Sequence, residues 1–434
     1  MYTHVFLQKI HPPHVQHGYL HCTCSTFVRV WHATHLQLYK NSLIQARNFL
    51  RYVSITLRSF SDGERKTCTG KENQAEPPVS TRGCFSENSG GDEILHLPFP
   101  WPPVRMAHPV LPVFLPFAGC PTRCIFCAQD KQTGLNPFGT EDKGVARALD
   151  TLSASLKERA ARQAEAVELA FFGGTFTAQP EKIQEACFTS LQPWLEQGLV
   201  AAVRCSTRPD AVNAGQLARL KALGLRTVEL GIQSFSSLAL SKARRGYTRE
   251  QALDACALVR EAGLTLGVQL MPGMPGVDAQ TFQSDITQAL AMNAAFLRVY
   301  PCLVLKGTEL ERIWRVGAYT PWSLAQTVQE LARALLATGK AEVPVARVGL
   351  PLTEDFVQYI LAGPAHPALG AIVQAEALYH YIYSHTAGKD VMLLRLPKNY
   401  QGFFWGERGE MRDRWAALGL SGENIIWEEK QNDT

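Results

Sequence analysis

Three closely spaced cysteines are the residues of this sequence best suited to bind a metal. Cys120, Cys124 and Cys127 follow the pattern C-x3-C-x2-C on a loop that contains glycine and proline. Thiolates are natural ligands of iron–sulfur clusters, and a short loop can wrap three of them onto one cubane. Three ligands for four irons leave one iron open. The spacing therefore favours a reactive cluster over a simple electron carrier, which usually has four cysteines.

Two other interpretations of this loop are open. A structural zinc ion would normally need a fourth cysteine or histidine nearby, and none follows within the loop. Three free packing cysteines are the other interpretation, and this spacing disfavours it. The isolated cysteines in later apolar segments are expected to pack in the core; they are Cys187, Cys205, Cys256 and Cys302.

The segments around the loop predict an α/β fold. Short apolar runs alternate with amphipathic helical stretches from Met106 onward. The runs occupy residues 110–117, 167–172, 200–205, 227–232, 264–270 and 296–305. Near-continuous apolar strands separated by helices indicate a parallel sheet that is buried on both faces. Six such units predict a six-strand α/β barrel or an open doubly wound sheet.

Unusual short motifs follow five of these predicted strands. In chain order they read GCPTRCIFC, GGT, STRPD, QSF and MPGMPG. Chemistry gathers at the carboxyl ends of parallel strands, so these motifs are expected to meet at one edge of the sheet. Their consistent placement indicates a functional site more strongly than any one motif does.

The motifs together resemble those of a known family. The cysteine loop, with Phe126 before its last cysteine, resembles the signature of the radical S-adenosylmethionine superfamily. LPFAGCPTRCIFC, FFGGTFTA, STRPD, ELGIQSF, RRGYT, QLMPGMPG and RVYPCLVLKGTEL are similar to the catalytic subunit of Elongator and its bacterial relatives, over residues 109–350. The resemblance implies a partial (β/α)6 TIM-like barrel. It also implies a 4Fe–4S cluster that reduces S-adenosylmethionine to methionine and a 5′-deoxyadenosyl radical.

The resemblance also implies roles for individual residues. The three loop cysteines would hold the cluster, with no catalytic residue assigned beyond them. The residues expected to bind S-adenosylmethionine are Phe126, Gly173, Gly174, Thr175, Ser206, Arg208, Glu229, Gln233 and Arg245. Arg245 would grip the cofactor carboxylate, a task suited to a guanidinium fork. Ser206 departs from the Elongator pattern, which usually has Glu there. Tyr300 and Lys306, at the sixth strand end, are candidate substrate contacts.

The resemblance points to transfer RNA as substrate. Elongator's catalytic subunit modifies wobble uridine with an acetyl-CoA-binding domain, for which residues 345–434 are too few. We therefore expect an Elongator-like radical reaction without a resident acetyltransferase, fed by a flavodoxin or ferredoxin type of one-electron donor. The alternatives are an enzyme that acts on a small molecule, as the coproporphyrinogen oxidase relatives do, and a non-catalytic iron–sulfur protein that binds RNA.

The first 105 residues differ in kind from the rest. They hold 8 of the 12 histidines, 7 of them before position 36, and carry 11 Lys and Arg against 7 Asp and Glu, which is the chain's whole net charge of +4. Residues 61–93 are rich in Ser, Gly, Glu and Thr, which is typical of disorder. We interpret residues 1–105 as a disordered segment or as upstream sequence wrongly translated. A chain that begins at Met106 is then expected to fold and to keep its activity.

The sequence predicts a core at residues 106–350 and a small α+β extension at residues 351–434. The extension reads strand, helices, strand, and its G-x-x-G turn at residues 406–409 resembles the RNA-clamping turn of KH modules. No run of 18 apolar residues exists, and the N-terminus has no signal-peptide pattern. We therefore expect a cytoplasmic enzyme without a membrane partner.

Overall fold

A parallel sheet of seven strands forms the centre of the computed structural model. The structure describes residues 94–96, 108–134, 141–386 and 393–428. In spatial order the strands are β2 (Val110–Leu115), β3 (Val167–Gly173), β4 (Val200–Thr207), β5 (Leu225–Gln233), β6 (Thr265–Leu270), β7 (Phe296–Val299) and β9 (Val345–Val348). Every pairing in this sheet is parallel. The carboxyl ends of all seven strands therefore lie at one edge.

Helices cover the sheet between successive strands. They are α1 (Gln129–Thr133), α2 (Glu141–Ala161), α3 (Glu181–Thr189), α4 (Gln192–Glu196), α5 (Ala214–Ala222), α6 (Ser237–Lys242), α7 (Arg249–Glu261), α8 (Ala279–Ala291), α9 (Glu309–Arg315) and α10 (Leu324–Lys340). Side-chain caps set where several of them begin. The Asn213 side chain accepts the N–H of Gln216, and Thr248 forms a capping box with Gln251.

The predicted α/β class is confirmed, with two differences in the sheet. The predicted run 296–305 divides into β7 and a separate strand, β8 (Val304–Leu305). β8 leaves the main sheet and pairs antiparallel with β10 (Ile360–Ala362). A seventh strand, β9, joins the main sheet beside β7. Its four residues form too short a run for periodicity to identify.

The C-terminal part of the chain builds a second, smaller sheet. This part of the chain contains four helices, α11 (Glu354–Val357), α12 (Leu369–Thr386), α13 (Gln401–Phe404) and α14 (Arg412–Ala416). Its two strands in the smaller sheet are β11 (Leu393–Pro397) and β12 (Ile425–Glu428). The residues of the G-x-x-G motif form a short 3-10 turn, Glu407–Gly409, ahead of α14. Trp415 is fully buried and stacks on Phe404 with ring centroids 4.2 Å apart.

A short strand from the N-terminal region completes this smaller sheet. β1 (Ile94–His96) pairs in parallel with β11, which pairs in parallel with β12. The expectation of disorder up to residue 105 is therefore wrong for these three residues, because β11 offers them a free edge. Residues 1–93 and 97–107 lie outside the described residues. Within the described part of the chain, no helix is long and apolar enough to span a membrane.

The pairing of β1 predicts where the chain can be shortened. Deletion of residues 1–87 keeps β1, whereas deletion of residues 1–105 removes it and exposes the edge of β11. Each lost backbone hydrogen bond is worth about 0.5–1.5 kcal/mol, so the longer deletion should lower the free energy of unfolding by about 1–3 kcal/mol relative to the shorter one. Thermal unfolding of the two proteins measures this difference. Identical melting temperatures would make β1 dispensable.

Candidate functional site

The loop that carries the three cysteines follows β2 and is fixed by backbone hydrogen bonds to two distant segments. The N–H of Ile125 donates to the carbonyl of Ala243 at 3.5 Å, and the N–H of Leu310 donates to the carbonyl of Ile125 at 2.8 Å. Ile125 itself is buried. Cys120, Cys124 and Cys127 are free and half-buried. The loop is thus a fixed frame that carries three thiols.

Burial disfavours the thiolate form of two of these thiols. Burial raises the pKa of Cys120. Burial raises the pKa of Cys127 to about 12, with further contributions from the neighbouring Cys124 and Cys120. Metal binding requires thiolates, so a cluster held by these three cysteines would release protons on binding and would supply the positive charge that stabilises the sulfurs.

The donor set fits an iron–sulfur cluster. In the part of the chain that the structure describes, no three Cys, His, Asp or Glu side chains converge as ligands of one metal ion. A cubane does not need such convergence, because each cysteine binds a different iron. Guanidinium nitrogens of Arg245 and Arg208 lie 2.9 and 3.9 Å from the sulfur of Cys124. The sulfur of Cys124 therefore has two cationic side chains beside it.

The glycine pair at the end of β3 packs directly against the start of the cysteine loop. The N–H of Gly174 donates to the carbonyl of Leu115 at 2.9 Å, and the N–H of Thr175 donates to the carbonyl of Ala118 at 2.7 Å. A Cβ at position 174 would overlap the carbonyl oxygen of Ala118 and lie 2.6 Å from its nitrogen. Glycine is required at 174 because two backbones meet there. The close approach is itself a structural reason for this motif.

Arg245 and Arg208 lie side by side behind Cys124. Arg245 is 4% exposed, and it also donates to the hydroxyl of Tyr247 at 3.0 Å and to the carbonyl of Gly231 at 2.6 Å. Arg208 forms a two-bond pair with Asp210 at 2.9 and 2.8 Å. Arg208 also donates to the carbonyl of Arg245. These bonds fix both guanidinium groups beside the thiol.

Glu229 is one member of a buried row of charges across the sheet. Its carboxylate oxygens lie 2.7 Å from Nη1 of Arg204 and 2.6 Å from Nε of Arg298. Arg204 also pairs with Glu168, and Arg298 donates to the hydroxyl of Tyr300 at 3.3 Å. Both oxygens of Glu229 therefore have protein partners, which offsets the cost of burying its charge.

Gln233 stands at the end of β5 in an unusual backbone conformation. Its φ is 67°, in the left-handed region that few side chains adopt. Its carbonyl Oε1 accepts from Nε2 of Gln269 at 3.2 Å. The turn after it is held by Asp285, whose Oδ1 accepts the N–H of Phe235 at 2.7 Å. Burial raises the pKa of Asp285 to about 6.

One cavity of about 550 Å³ lies at the carboxyl ends of the strands. The three cysteines line it, as do all the residues that the sequence assigned to S-adenosylmethionine: Phe126, Gly173, Gly174, Thr175, Ser206, Arg208, Glu229, Gln233 and Arg245. Tyr300 also lines the cavity. Lys306 does not, because it lies exposed after β8, which turns away from the main sheet.

Several polar residues of the cavity were missed by the sequence analysis, among them Gln129, Gln269 and Arg298. Arg298 stands two positions before Tyr300 at the end of β7, and this alternation was a usable signal. Gln269 is a polar residue in an otherwise apolar strand end. Gln129 offered no periodic signal, since its partners are far away in sequence.

Gln129 joins the cysteine loop to the glycine pair. Its Oε1 accepts the N–H of Phe117 at 2.6 Å, and its Nε2 donates to the carbonyl of Gly173. Phe117 has a φ of 60°, so this bond helps to hold a strained residue at the start of the loop. The backbone N–H of Gln129 also bonds to the thiol of Cys127.

Gln129→Glu should loosen this junction in a pH-dependent way. The introduced carboxylate keeps the acceptor for Phe117 but loses the donor to Gly173, which should lower the free energy of unfolding by about 1–3 kcal/mol near pH 8. Protonation of that carboxylate restores a donor, so the deficit should shrink as the pH falls. Thermal unfolding against pH tests this, with Gln132→Glu, at an exposed position of the same helix, as control. A deficit equal at all pH values would contradict the donor role.

Residues 114–289 match the radical SAM superfamily, and residues 294–378 match the radical SAM C-terminal domain. The second match crosses residue 350, where the sequence analysis ended the core.

Curated relatives include two proteins named tRNA uridine(34) acetyltransferase. The one from Methanocaldococcus jannaschii is 29% identical over 197 residues, 41% of this chain and 36% of that protein. The one from Dehalococcoides mccartyi is 28% identical over 275 residues, 56% of this chain and 58% of that protein. The chain thus spans between a third and three fifths of the length of these relatives. A solved structure, archaeal Methanocaldococcus infernus Elp3 with an N-terminal deletion, matches with a TM-score of 0.47 and 22% identity, over 64% of this chain and 63% of that one.

Proposed function

The chain belongs to the radical S-adenosylmethionine superfamily, and from this membership we propose that it carries out a radical modification of a transfer RNA base. Enzymes of the superfamily use a 4Fe–4S cluster and S-adenosylmethionine, and this chain is a radical SAM enzyme with these cofactors. The finer assignments of residues and substrate are our proposal.

We assign the cluster to Cys120, Cys124 and Cys127. Three thiols on a fixed loop, open to one cavity and next to two guanidinium groups, support this assignment. When bound, the cluster supplies an electron that cleaves S-adenosylmethionine into methionine and a 5′-deoxyadenosyl radical. The protein's own part is to orient the cofactor and to limit the access of water and oxygen.

The remaining cavity residues divide the work of holding S-adenosylmethionine. Gly173, Gly174 and Thr175 present backbone groups next to Cys120. Arg208 and Arg245 supply positive charge for the cofactor carboxylate, and Phe126 and Ser206 complete the wall. Glu229 acts indirectly in this proposal, since it holds Arg298, and Gln233 with Gln269 offers amide groups to the sugar.

Replacing Arg245 with alanine should weaken cofactor binding. The loss of a charge-assisted bond predicts S-adenosylmethionine binding weaker by about 1.5–3 kcal/mol, with the iron content unchanged. Equilibrium binding to the reconstituted protein measures this. Arg244→Ala is the matched control, because Arg244 has a 66% exposed side chain that pairs with Glu309 at the surface. Weaker S-adenosylmethionine binding in Arg244→Ala alone would assign the carboxylate contact to Arg244 and not to Arg245.

The transfer RNA substrate is supported by similarity to the proteins named tRNA uridine(34) acetyltransferase. The cavity volume lies in the range of small-molecule sites, so it can take an unstacked base beside the cofactor. Tyr300 and Arg298 stand at its β7 wall, where they can contact that base. The proposal does not include acetyl transfer by this chain. An RNA contact of the turn Glu407–Gly409 remains a prediction.

One experiment separates the candidate functions. The protein is reconstituted anaerobically with iron and sulfide, reduced, and incubated with S-adenosylmethionine and either transfer RNA or coproporphyrinogen III. We expect 5′-deoxyadenosine in amounts that rise with transfer RNA, together with a nucleoside of altered mass in the digested RNA. A rise with coproporphyrinogen III alone would indicate a small-molecule enzyme. Iron and RNA binding without 5′-deoxyadenosine would indicate a non-catalytic protein.

A further inference from the structure

The cysteine loop has an outer side that belongs to the protein surface. Pro121, Thr122 and Arg123, between the first two cysteines, are all exposed, and Thr122 and Arg123 also line the cavity. Two other segments are bonded to the buried backbone of Ile125 in the same loop: residues 242–244 through Ala243, and α9 through Leu310. Arg244 and Glu309, 3.5 Å apart, join these two segments to each other. Three segments therefore form one continuous surface around the cysteine loop.

This surface is strongly basic. We define the basic face as Lys242, Arg244, Lys306, Arg312 and Arg315, all of which are exposed. Arg123 adds a sixth exposed cation from the loop itself. The acidic residues of the same segments are Glu309 and Glu311 alone. Residues 106–434 carry equal numbers of basic and acidic side chains, so this excess is local.

An exposed apolar residue lies beside these charges. Val316, directly after α9, is 68% exposed, which is the highest value among the large apolar side chains that the structure describes as exposed. Exposed apolar area next to a charged rim is common at protein–protein interfaces, where the centre excludes water and the rim stays polar. A phosphate backbone alone would gain little from such a residue.

We propose that the basic face is the docking site of a small acidic one-electron carrier protein. The proposal rests on the cluster assigned to Cys120, Cys124 and Cys127, because an electron for that cluster must arrive from outside. Two segments of the face are bonded to Ile125, which directly follows Cys124, so a carrier docked there approaches the cluster ligands through one short loop. Complementary charge speeds such encounters and orients the partner.

The electron transfer balances without any further reactant. The carrier loses one electron and is oxidised by one equivalent, and the cluster gains that electron. Lys306, which the sequence suggested as a contact to an anionic substrate, becomes part of the carrier's docking site instead.

The test measures reduction of the reconstituted cluster by reduced flavodoxin, followed by anaerobic stopped-flow absorbance. The variant carries Lys242→Glu, Arg244→Glu and Arg312→Glu together. At low ionic strength we expect its reduction rate to fall by about 10-fold or more, the lower end of the range for electrostatic steering. Salt should slow the natural protein and leave the variant nearly unchanged. A second variant with Gln at the three positions should be reduced at a rate between those of the natural protein and the Glu variant.

Three controls distinguish a loss of carrier docking from other causes of a slower reduction. The rate of reduction by dithionite, which needs no docking, should be equal in all proteins. A difference in iron content between the proteins would contradict the cluster assignment and not the docking site. Arg226→Glu reverses an exposed charge at the amino end of β5, the opposite end of the sheet, and should leave the rate unchanged. Binding of oxidised flavodoxin to the protein without cluster should show the same order of affinities. Equal rates in the natural protein and the variant, or loss of transfer RNA binding in place of carrier binding, would overturn the proposal.

Discussion

Cys124→Ala should abolish cluster binding while the chain still folds. The natural protein should hold about four irons after anaerobic reconstitution, and the variant should hold almost none and form no 5′-deoxyadenosine. Cys124 is half-buried, and its removal deprives Arg245 of one of three hydrogen-bond partners. The other two partners keep that side chain in place, so we expect an unfolding transition close to that of the natural protein.

Cys256→Ala is the matched control for this prediction. Cys256 is fully buried on α7, away from the cavity, and its loss removes core packing without touching the loop. We expect this variant to be slightly less stable, by about 1–2 kcal/mol, and to bind iron normally. An unchanged iron content in Cys124→Ala would show that the loop does not bind the cluster.

Gly174→Ala should be among the most destabilising single substitutions in this chain. The added methyl group has no space, because it would overlap the backbone of Ala118, which cannot rotate away as a side chain could. Relief requires the cysteine loop and the end of β3 to separate. We expect a loss of at least about 3 kcal/mol in the free energy of unfolding, since overpacking against backbone exceeds ordinary overpacking costs. Denaturant unfolding measures the loss.

Gly402→Ala provides the comparison. Gly402 lies in α13, where an added Cβ meets nothing within 4 Å, so alanine should be neutral or stabilising by about 0.5–1 kcal/mol. Iron content should fall in Gly174→Ala only. Equal stability of the two variants would mean that the close contact at Ala118 relaxes without cost.

The sequence was sufficient to predict the sheet and most of the cavity wall. Both depend on local patterns, since apolar runs mark buried parallel strands, and parallel strands bring their carboxyl ends to one edge. Gly174, in the motif after the second predicted strand, could therefore be placed near Cys124, whereas Arg245 was placed there only by the family resemblance of RRGYT. Their roles toward the cofactor remain predictions.

What the sequence did not reveal depends on contacts between distant segments. Gln129 has side-chain partners at positions 117 and 173, and neither leaves a mark near residue 129. The departure of β8 from the main sheet depends on its pairing with β10, more than fifty residues later. This pairing is why Lys306 lies outside the cavity. β1 was missed because three residues carry no measurable period.

The two outermost strands of the main sheet bear on self-association. β2 and β9 each pair with one neighbour among the described residues, so each leaves backbone groups free to capture a strand from another molecule. Pro112 removes a donor from the middle of β2, and the exposed Arg347 places a charge in β9. Proline and charge are what discourage edge-to-edge joining in natural sheets. Substitution of Pro112 by valine would restore a complete ladder of donors, and with it a route to fibrous aggregation at high concentration.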